Sequence, residues 1–507
     1  RRSPAVRLSV RLSSWELLLR YGLASVYAPR APDDQAQQRW KSAAPPWYHR
    51  GMVTQTLPFG DGTVGAELPD RTRVLARSGA AGSGGGLEPI ADLDQAVREA
   101  LERPLGWPAI PEVVRPDARV VIAFDDPTVT SFGPIRRIAI EAVLAQLAAA
   151  GVPEQNVILM CANALHRKFT HEELATIIGP ELVQRFGDRL TCHDAEDSAN
   201  IVNFGVTERG YDVELNRQAV EADLCVYINA GLHLGFSGGW KSIAVGLSTW
   251  RSIRHTHHPD GMSMSVLNNR MHDVLNEMGA HIERSMGGKR FYKIECVQAS
   301  AAKMAHVWAG GVSETRAAAL EVMSSRNPPR RSQAEPADVV VYGLPAWSPY
   351  AVFGQMNPIL TLVSSGLGYL GGYIEALGKP GCTVVLATPC PETWDMEHHP
   401  SYREVWDDVL PFTRDPYEIM ARYSDHFTTH AGYIEQYRDG VAFHPVHGIL
   451  ATHPLRRLKH AGNVIVAGAE DPGVPSRLGF EHAASVEDAV RMAEQRHGPD
   501  CSIVCVN

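Results

Sequence analysis

The stretch ADLCVYINAGLHLGFSGGWKS, residues 222–242, decides how the chain is read. Its first eight residues form a compact apolar run, the pattern of a strand buried on both faces of a parallel sheet. A glycine-rich loop follows, and an apolar helix-like stretch begins at its end. That order sets the loop beyond the carboxyl end of a strand, where open α/β sheets bind their ligands. Ser237, Gly238 and Gly239 are therefore expected to expose backbone N–H groups at a helix start, an anion site by dipole and geometry. Lys241 and Ser242 sit just inside it. The nearest generic motif is the P-loop, GxxxxGK[ST]. Trp240 stands where its last glycine is required, and a bulky ring there argues against an ATPase.

The same rhythm extends outward from this stretch. ARVVIAF (118–124) and NVILMCA (156–162) are two more buried-strand runs. Between them IRRIAIEAVLAQLAAAG (135–151) has helical periodicity and ends on Gly151, a C-cap residue. HEELATIIGPELVQRFG (171–187) reads as helical with Thr170 as its N-cap. Strands alternating with helices predict a parallel sheet covered on its faces. Upstream, MVTQTLPFGDGTVGAELPD (52–70) is β-like with a turn at Gly60-Asp61-Gly62, and SGAAGSGGG (78–86) is a flexible loop. The polar segment SSRNPPRRSQAEP (324–336) breaks the pattern. Strand signals resume at ADVVVYG (337–343), CTVVLAT (382–388), NVIVAG (463–468) and SIVCVN (502–507), with an amphipathic helix at VEDAVRMAEQ (486–495). The expected organisation is an N-terminal extension over 1–50, an α/β domain over 51–325, a linker over 326–336 and a second α/β domain over 337–507. The fold class is thus α/β, two domains with parallel-type sheets and an active-site cleft between them.

Composition narrows the function classes. The 507 residues are 44% hydrophobic and 21% charged, with 48 basic and 57 acidic residues and a net charge of -9. That balance argues against nucleic acid as a partner, and no apolar run approaches membrane-spanning length. Eight cysteines are scattered without a CxxC pair. They read as reduced core thiols of a cytoplasmic protein, not as a zinc ribbon or disulfide framework. The first thirty residues carry six arginines and one acid. This is the bias of a transit peptide, but a loosely held extension is the preferred reading.

Histidines mark the chemistry. His166 follows the strand at 156–162, His233 lies in the glycine loop, and His255, His257 and His258 cluster in RSIRHTHHPD. Each could serve as an acid, a base or a metal ligand. The pairs His398/His399, His426/His430 and His444/His447 read as surface or helix-face residues. In FDDPTVT (124–130), Asp125, Asp126, Thr128 and Thr130 end the first strand. They form either an Asx-type turn or part of an active-site wall.

Taken together these pieces resemble the nickel-pincer lactate racemase family. The resemblance rests on DDPT at 125–128, ALHR at 164–167, HDAED at 193–197, FGVTERG at 204–210, GFSGGWKS at 235–242 and the downstream histidine. It implies that the first domain is catalytic and cofactor-binding. It further implies a covalent link from Lys241 to a nickel-pincer nucleotide, a pyridinium-derived mononucleotide. Ser237, Gly238, Gly239, Asp126 and Thr128 would lie around that cofactor. His257, sixteen residues after the lysine, would ligate the nickel, and His166 and His233 would be the two acid/base groups. The implied activity is racemisation or epimerisation of a small 2-hydroxy acid by hydride transfer. The implied partners are that small-molecule acid and the enzymes that synthesise the cofactor.

Two departures shape the expected substrate. Val129 stands where the resemblance calls for an arginine that holds the substrate carboxylate. Pro358, three residues after Gln355, stands where it calls for a lysine. Lactate itself is therefore a poor fit, and a longer acid such as a sugar acid suits better. Arg136, Arg137 and Lys168 are the cations that could substitute. Two other readings follow from the same residues. One is a divergent member that binds a small anion or nucleotide without chemistry. The other is a hydrolase or lyase with a divalent metal at the HTHH cluster.

Overall fold

The computed structural model describes residues 51–75, 87–131, 133–232, 237–260, 270–288, 291–326 and 335–507. The extension over 1–50, the SGAAGSGGG loop, His233 and residues 327–334 of the expected linker lie outside the described residues.

Two six-stranded sheets organise the chain. The first runs, in spatial order, Lys303–Gly311, Phe291–Ser300, Leu224–Leu232, Val120–Asp125, Val157–Ala162 and Leu190–Cys192. Its pairs are parallel except for the edge strand Lys303–Gly311, which turns back antiparallel on Phe291–Ser300. Every residue of Val120–Asp125 is buried, as a central parallel strand covered on both faces requires. The helix Ile135–Ala149 covers one face through Ile138, Val143, Leu144 and Leu147. Thr170 caps His171–Ile178 in a full capping box with Glu173. The helical run expected over 171–187 breaks in two at Gly179, whose φ of 89° ends one helix while Pro180 starts the next. The ring removes the N–H that a continuous helix would need.

The second sheet is wholly parallel: Glu481–Ala483, Ala461–Ala467, Gly378–Ala387, Ala337–Gly343, Ile503–Val506 and Arg73–Leu75. Its last strand corrects the expected boundary. Arg73–Leu75 belongs in sequence to the first domain but pairs with Ile503–Val506 at the edge of the second sheet. The hairpin Met52–Phe59/Gly62–Pro69 goes the same way, since Leu57, Ala66 and Leu68 share a core with Val339, Val385 and Ile465. Alternation in a hairpin shows that one face is buried, but not which half of the chain buries it. Among the described residues no helix is long and apolar enough to cross a membrane. All eight cysteines are free thiols, seven buried and Cys192 half-buried.

Trp240, the residue that breaks the P-loop pattern, is a packing anchor. It is 3% exposed and meets Phe291 edge-on at 6.1 Å. Its indole lies against Gly279 of the helix Arg270–Ser285, where a Cβ would come within 2.2 Å of the ring. Gly279→Ala is therefore expected to lower unfolding stability by about 1–3 kcal/mol through overpacking, measured by urea denaturation. An unchanged midpoint would mean that the two helices are not held at this contact.

Candidate active site

The site begins where the strand Val120–Asp125 ends. The following loop has no ladder of its own, so its carbonyls need other donors. Arg136, from the next helix and completely buried, supplies them. Its guanidinium donates to the carbonyls of Asp125 (2.8 Å), Asp126 (3.1 Å), Val129 (3.0 Å) and Ser131 (2.8 Å). This corrects the expectation that Arg136 could meet a substrate anion. Arg137 is exposed, and Lys168 pairs with Asp194 at 2.8 Å, so neither replaces the missing cations at the cavity.

The loop fixed in this way carries Asp126 and Thr128. Asp126 Oδ1 accepts from the Thr128 hydroxyl at 2.6 Å and from its backbone N–H at 3.0 Å. Asp126 Oδ2 lies 2.7 Å from His166 Nδ1. Burial pushes the Asp126 carboxyl up, but the facing His166 and the Thr128 bonds outweigh it and hold the pKa below its usual value. His166 is delivered by a tight turn in which its N–H donates to the Asn163 carbonyl at 2.7 Å. Ala164 within that turn sits at φ 52°, strained for an alanine. With Nδ1 engaged by a carboxylate, Nε2 is left to work as an acceptor, the arrangement of an oriented general base.

A cavity of about 250 Å³ opens over these groups. Asp126, Thr128, His166, Ser237, Lys241 and His257 all line it. Burial lowers the pKa of the Lys241 amine, Asp125 and Asp126 oppose the shift, and Lys293 adds to it. Burial, together with the charges of Lys241, His453 and His166, pushes His257 down to about 3, so its imidazole is neutral near pH 7. Asp125 beneath them accepts from Tyr227 (2.9 Å), Asn229 (2.7 Å) and the Ala230 N–H (2.9 Å).

Two expectations change here. The HTHH run is not a metal cluster. His255 bonds Asp212 at 3.0 Å and His258 lies against Tyr417, while His257 faces the cavity. Among the described residues no group of three or more His, Cys, Asp or Glu could hold a metal ion. Nor is the glycine loop an open anion cradle. The Gly239 N–H is taken by the buried carboxylate of Glu295 at 3.0 Å and 3.1 Å. A Cβ on Gly238 would fall 2.1 Å from the same carboxylate, and Arg316 donates to the Ser237 carbonyl. Glycine is needed there for close approach of Glu295, which Lys293 faces at 3.5 Å. Of the three loop residues only Ser237 lines the cavity. His233 lies outside the described residues.

The opposite wall comes from the second half of the chain. Tyr350, Tyr369, His447, His453 and Arg456 line it. Tyr369 comes from an eleven-residue π-helix, Ile359–Tyr369, a rare form that is frequent at functional sites. The Tyr369 hydroxyl donates to that of Tyr350 at 3.2 Å. His447, expected on a helix face, is instead 4% exposed and inside the cavity. His426 is half exposed, as expected of a surface residue. Val129 does line the cavity, whereas Gln355 is exposed and Pro358 buried elsewhere.

Comparison with known proteins shows what this chain is similar to. The family described as the lactate racemase N-terminal domain matches residues 59–266. The lactate racemase of Lactiplantibacillus plantarum is 26% identical over 230 residues, 44% of this chain and 52% of that protein. The chain thus spans about half the length of that relative. The lactate racemase of Thermoanaerobacterium thermosaccharolyticum is 26% identical over 377 residues, 73% of this chain and 80% of that one. The solved lactate racemase apoprotein from the same organism shares the fold, with a TM-score of 0.63 at 20% identity over 90% of this chain and 98% of that chain. Residues 59–266 are thus similar to the lactate racemase N-terminal domain, and the chain as a whole shares the fold of the solved apoprotein.

The buried imidazoles set a pH dependence. Burial pushes His193 to about 4, His399 to about 4 and His453 to about 3. The unfolded chain, with these groups near 6.5, therefore binds more protons than the folded one between about pH 4 and 6.5, so stability falls as pH falls through that window. Each such histidine contributes a slope of about 1.4 kcal/mol per pH unit. His193→Gln, away from the cavity, is expected to remove one such increment in urea titrations run from pH 7 to 5. An unchanged slope would mean that His193 titrates normally in the folded state.

Proposed function

We propose that the protein is an isomerase that inverts the hydroxyl-bearing carbon of a 2-hydroxy acid with a nickel-pincer nucleotide attached through Lys241. The observation that carries this reading is that Lys241, His257 and the Asp126-backed His166 share one cavity, in a chain whose residues 59–266 are similar to the lactate racemase N-terminal domain.

The chain's own groups suit such a cofactor. An amine with a lowered pKa is a better nucleophile for a covalent link than an exposed lysine. An imidazole held neutral is the form that ligates a metal, and His257 would hold the nickel. When bound, the group would supply a hydride acceptor, which avoids forming a carbanion beside a carboxylate. The side chains do the rest. His166 Nε2 takes the substrate hydroxyl proton, and Asp126 stabilises the resulting imidazolium through Nδ1. Thr128 fixes the Asp126 carboxylate. The aromatic wall of Tyr350 and Tyr369 excludes water. Val129 in the cavity argues for a substrate other than lactate, anchored by different groups. The buried Glu295 on the Gly239 N–H argues that the nucleotide phosphate is not held at that helix start.

Protein made alongside the pincer-synthesis enzymes is expected to show a nucleotide-sized adduct and about one nickel per chain under denaturing mass analysis and metal assay. Lys241→Ala is expected to lose both. An unmodified wild-type chain without nickel, in cells where a known family member is loaded, would favour a divergent anion-binding protein.

His166→Gln, in loaded enzyme screened on 2-hydroxy acids, is expected to keep the adduct and lose about 10²- to 10⁴-fold in kcat. Full activity in this variant would remove His166 from proton transfer.

A further inference from the structure

We infer that His447 is a substrate-binding residue that presents a fixed Nε2–H donor to the carboxylate of a 2-hydroxy acid, on the cavity wall facing His166. This rests on the reading of the protein as a 2-hydroxy acid isomerase and extends it to the half of the chain that the family match does not reach.

The hydrogen bonding fixes the tautomer. His447 Nδ1 lies 2.7 Å from the Tyr402 hydroxyl. Tyr402 is completely buried, and among the described residues its hydroxyl has no other hydrogen-bond partner. A buried O–H must donate somewhere, so Tyr402 donates to Nδ1 and the ring proton resides on Nε2. No described residue accepts from that Nε2–H, and His447 lines the cavity. Burial, reinforced by the neighbouring histidines, holds His447 well below its usual pKa, so it remains a neutral donor.

The packing fixes its direction. The ring stands edge-on to Tyr350 at 4.5 Å and to His166 at 5.3 Å, with Phe443 at 4.8 Å on another side. His166 and His447 therefore offer opposite hydrogen-bonding characters side by side. The substrate hydroxyl is a donor and suits the acceptor Nε2 of His166. The adjacent carboxylate is an acceptor and suits the donor Nε2–H of His447. Val129 leaves the first half of the chain without a cation at the position where the family resemblance expects one, and His447 answers that loss from the other side.

The test uses the full-length protein with glycerate as the probe. Calorimetric titration is expected to show saturable binding that His447→Ala weakens by about 10- to 100-fold, the worth of one hydrogen bond to a charged group. His447→Gln keeps an N–H and is expected to recover most of the loss. In long-range spectra of ¹⁵N-histidine-labelled protein, the His447 resonances are expected to report a neutral Nε2–H ring that shifts on adding glycerate. Tyr402→Phe, which leaves the imidazole in place, is expected to mix the tautomers and weaken binding. If His447→Ala fails to fold, the Tyr402→Phe and spectroscopic arms still decide. An Nδ1–H tautomer, an unshifted His447, equal affinity in a folded His447→Ala variant, or no binding of glycerate to the wild type would overturn the proposal. The adduct and nickel measurement is independent of all four, so failure of the cofactor reading is seen separately.

Discussion

A guanidinium buried on backbone carbonyls holds the cavity end of the first sheet together. The loop after Val120–Asp125 must leave the sheet, and doing so takes its carbonyls off the strand ladder. Arg136 takes four of them from one rigid fork. The Asp126 and Val129 carbonyls also accept the N–H groups of Val129 and Ser131, so Arg136 reinforces turns that the loop already makes. Burial lowers the pKa of the Arg136 guanidinium, and the nearby carboxylates of Asp125 and Asp126 offset this only in part. The conformation so fixed aims Asp126 at His166, and thereby determines which nitrogen of His166 is free.

The same logic recurs under the glycine loop. Glu295, Lys293 and Arg316 form a buried charged group whose bonds run to Gly239 and Ser237. These residues turn a helix start that could have met a ligand into part of the scaffold. Lys241 follows directly and inherits a rigid backbone. Burial lowers the pKa of its amine, Asp125 and Asp126 oppose that shift and Lys293 adds to it, so the amine is tuned in part by a residue of the network that also fixes the loop.

Much of the first half was legible in the sequence because its signals are local. Six-residue apolar runs, a capping box at Thr170 and the order of DDPT, ALHR and the lysine loop are each read within a few positions. Four of the six strands of the second sheet were equally plain, whereas the short edge strands Arg73–Leu75 and Glu481–Ala483 were too brief to show a pattern. The strands Phe291–Ser300 and Lys303–Gly311 went unread, and three further features were not legible. A helix break at Gly179-Pro180 hides inside good helical periodicity. The role of Arg136 depends on a loop whose path no local pattern fixes. Most of the second wall was missed because His447, His453 and Tyr369 come from short or unusual helices with no periodic signal. Their burial is a property of the cavity and not of their own segments. The three adjacent histidines misled in the opposite way, since side chains so close in sequence point to different partners.

The edge strand Arg73–Leu75 carries a consequence of its own. Because the chain enters through the second sheet, leaves to build the first, and returns at Ala337–Gly343, the halves are joined by two crossings of the backbone. One core cluster also spans the two halves, joining Val121 and Tyr227 to Val340 and Tyr342. A fragment cut at residue 337 would take away neither the hairpin nor the edge strand with it, and would expose the flank of Ile503–Val506 to pairing with other chains.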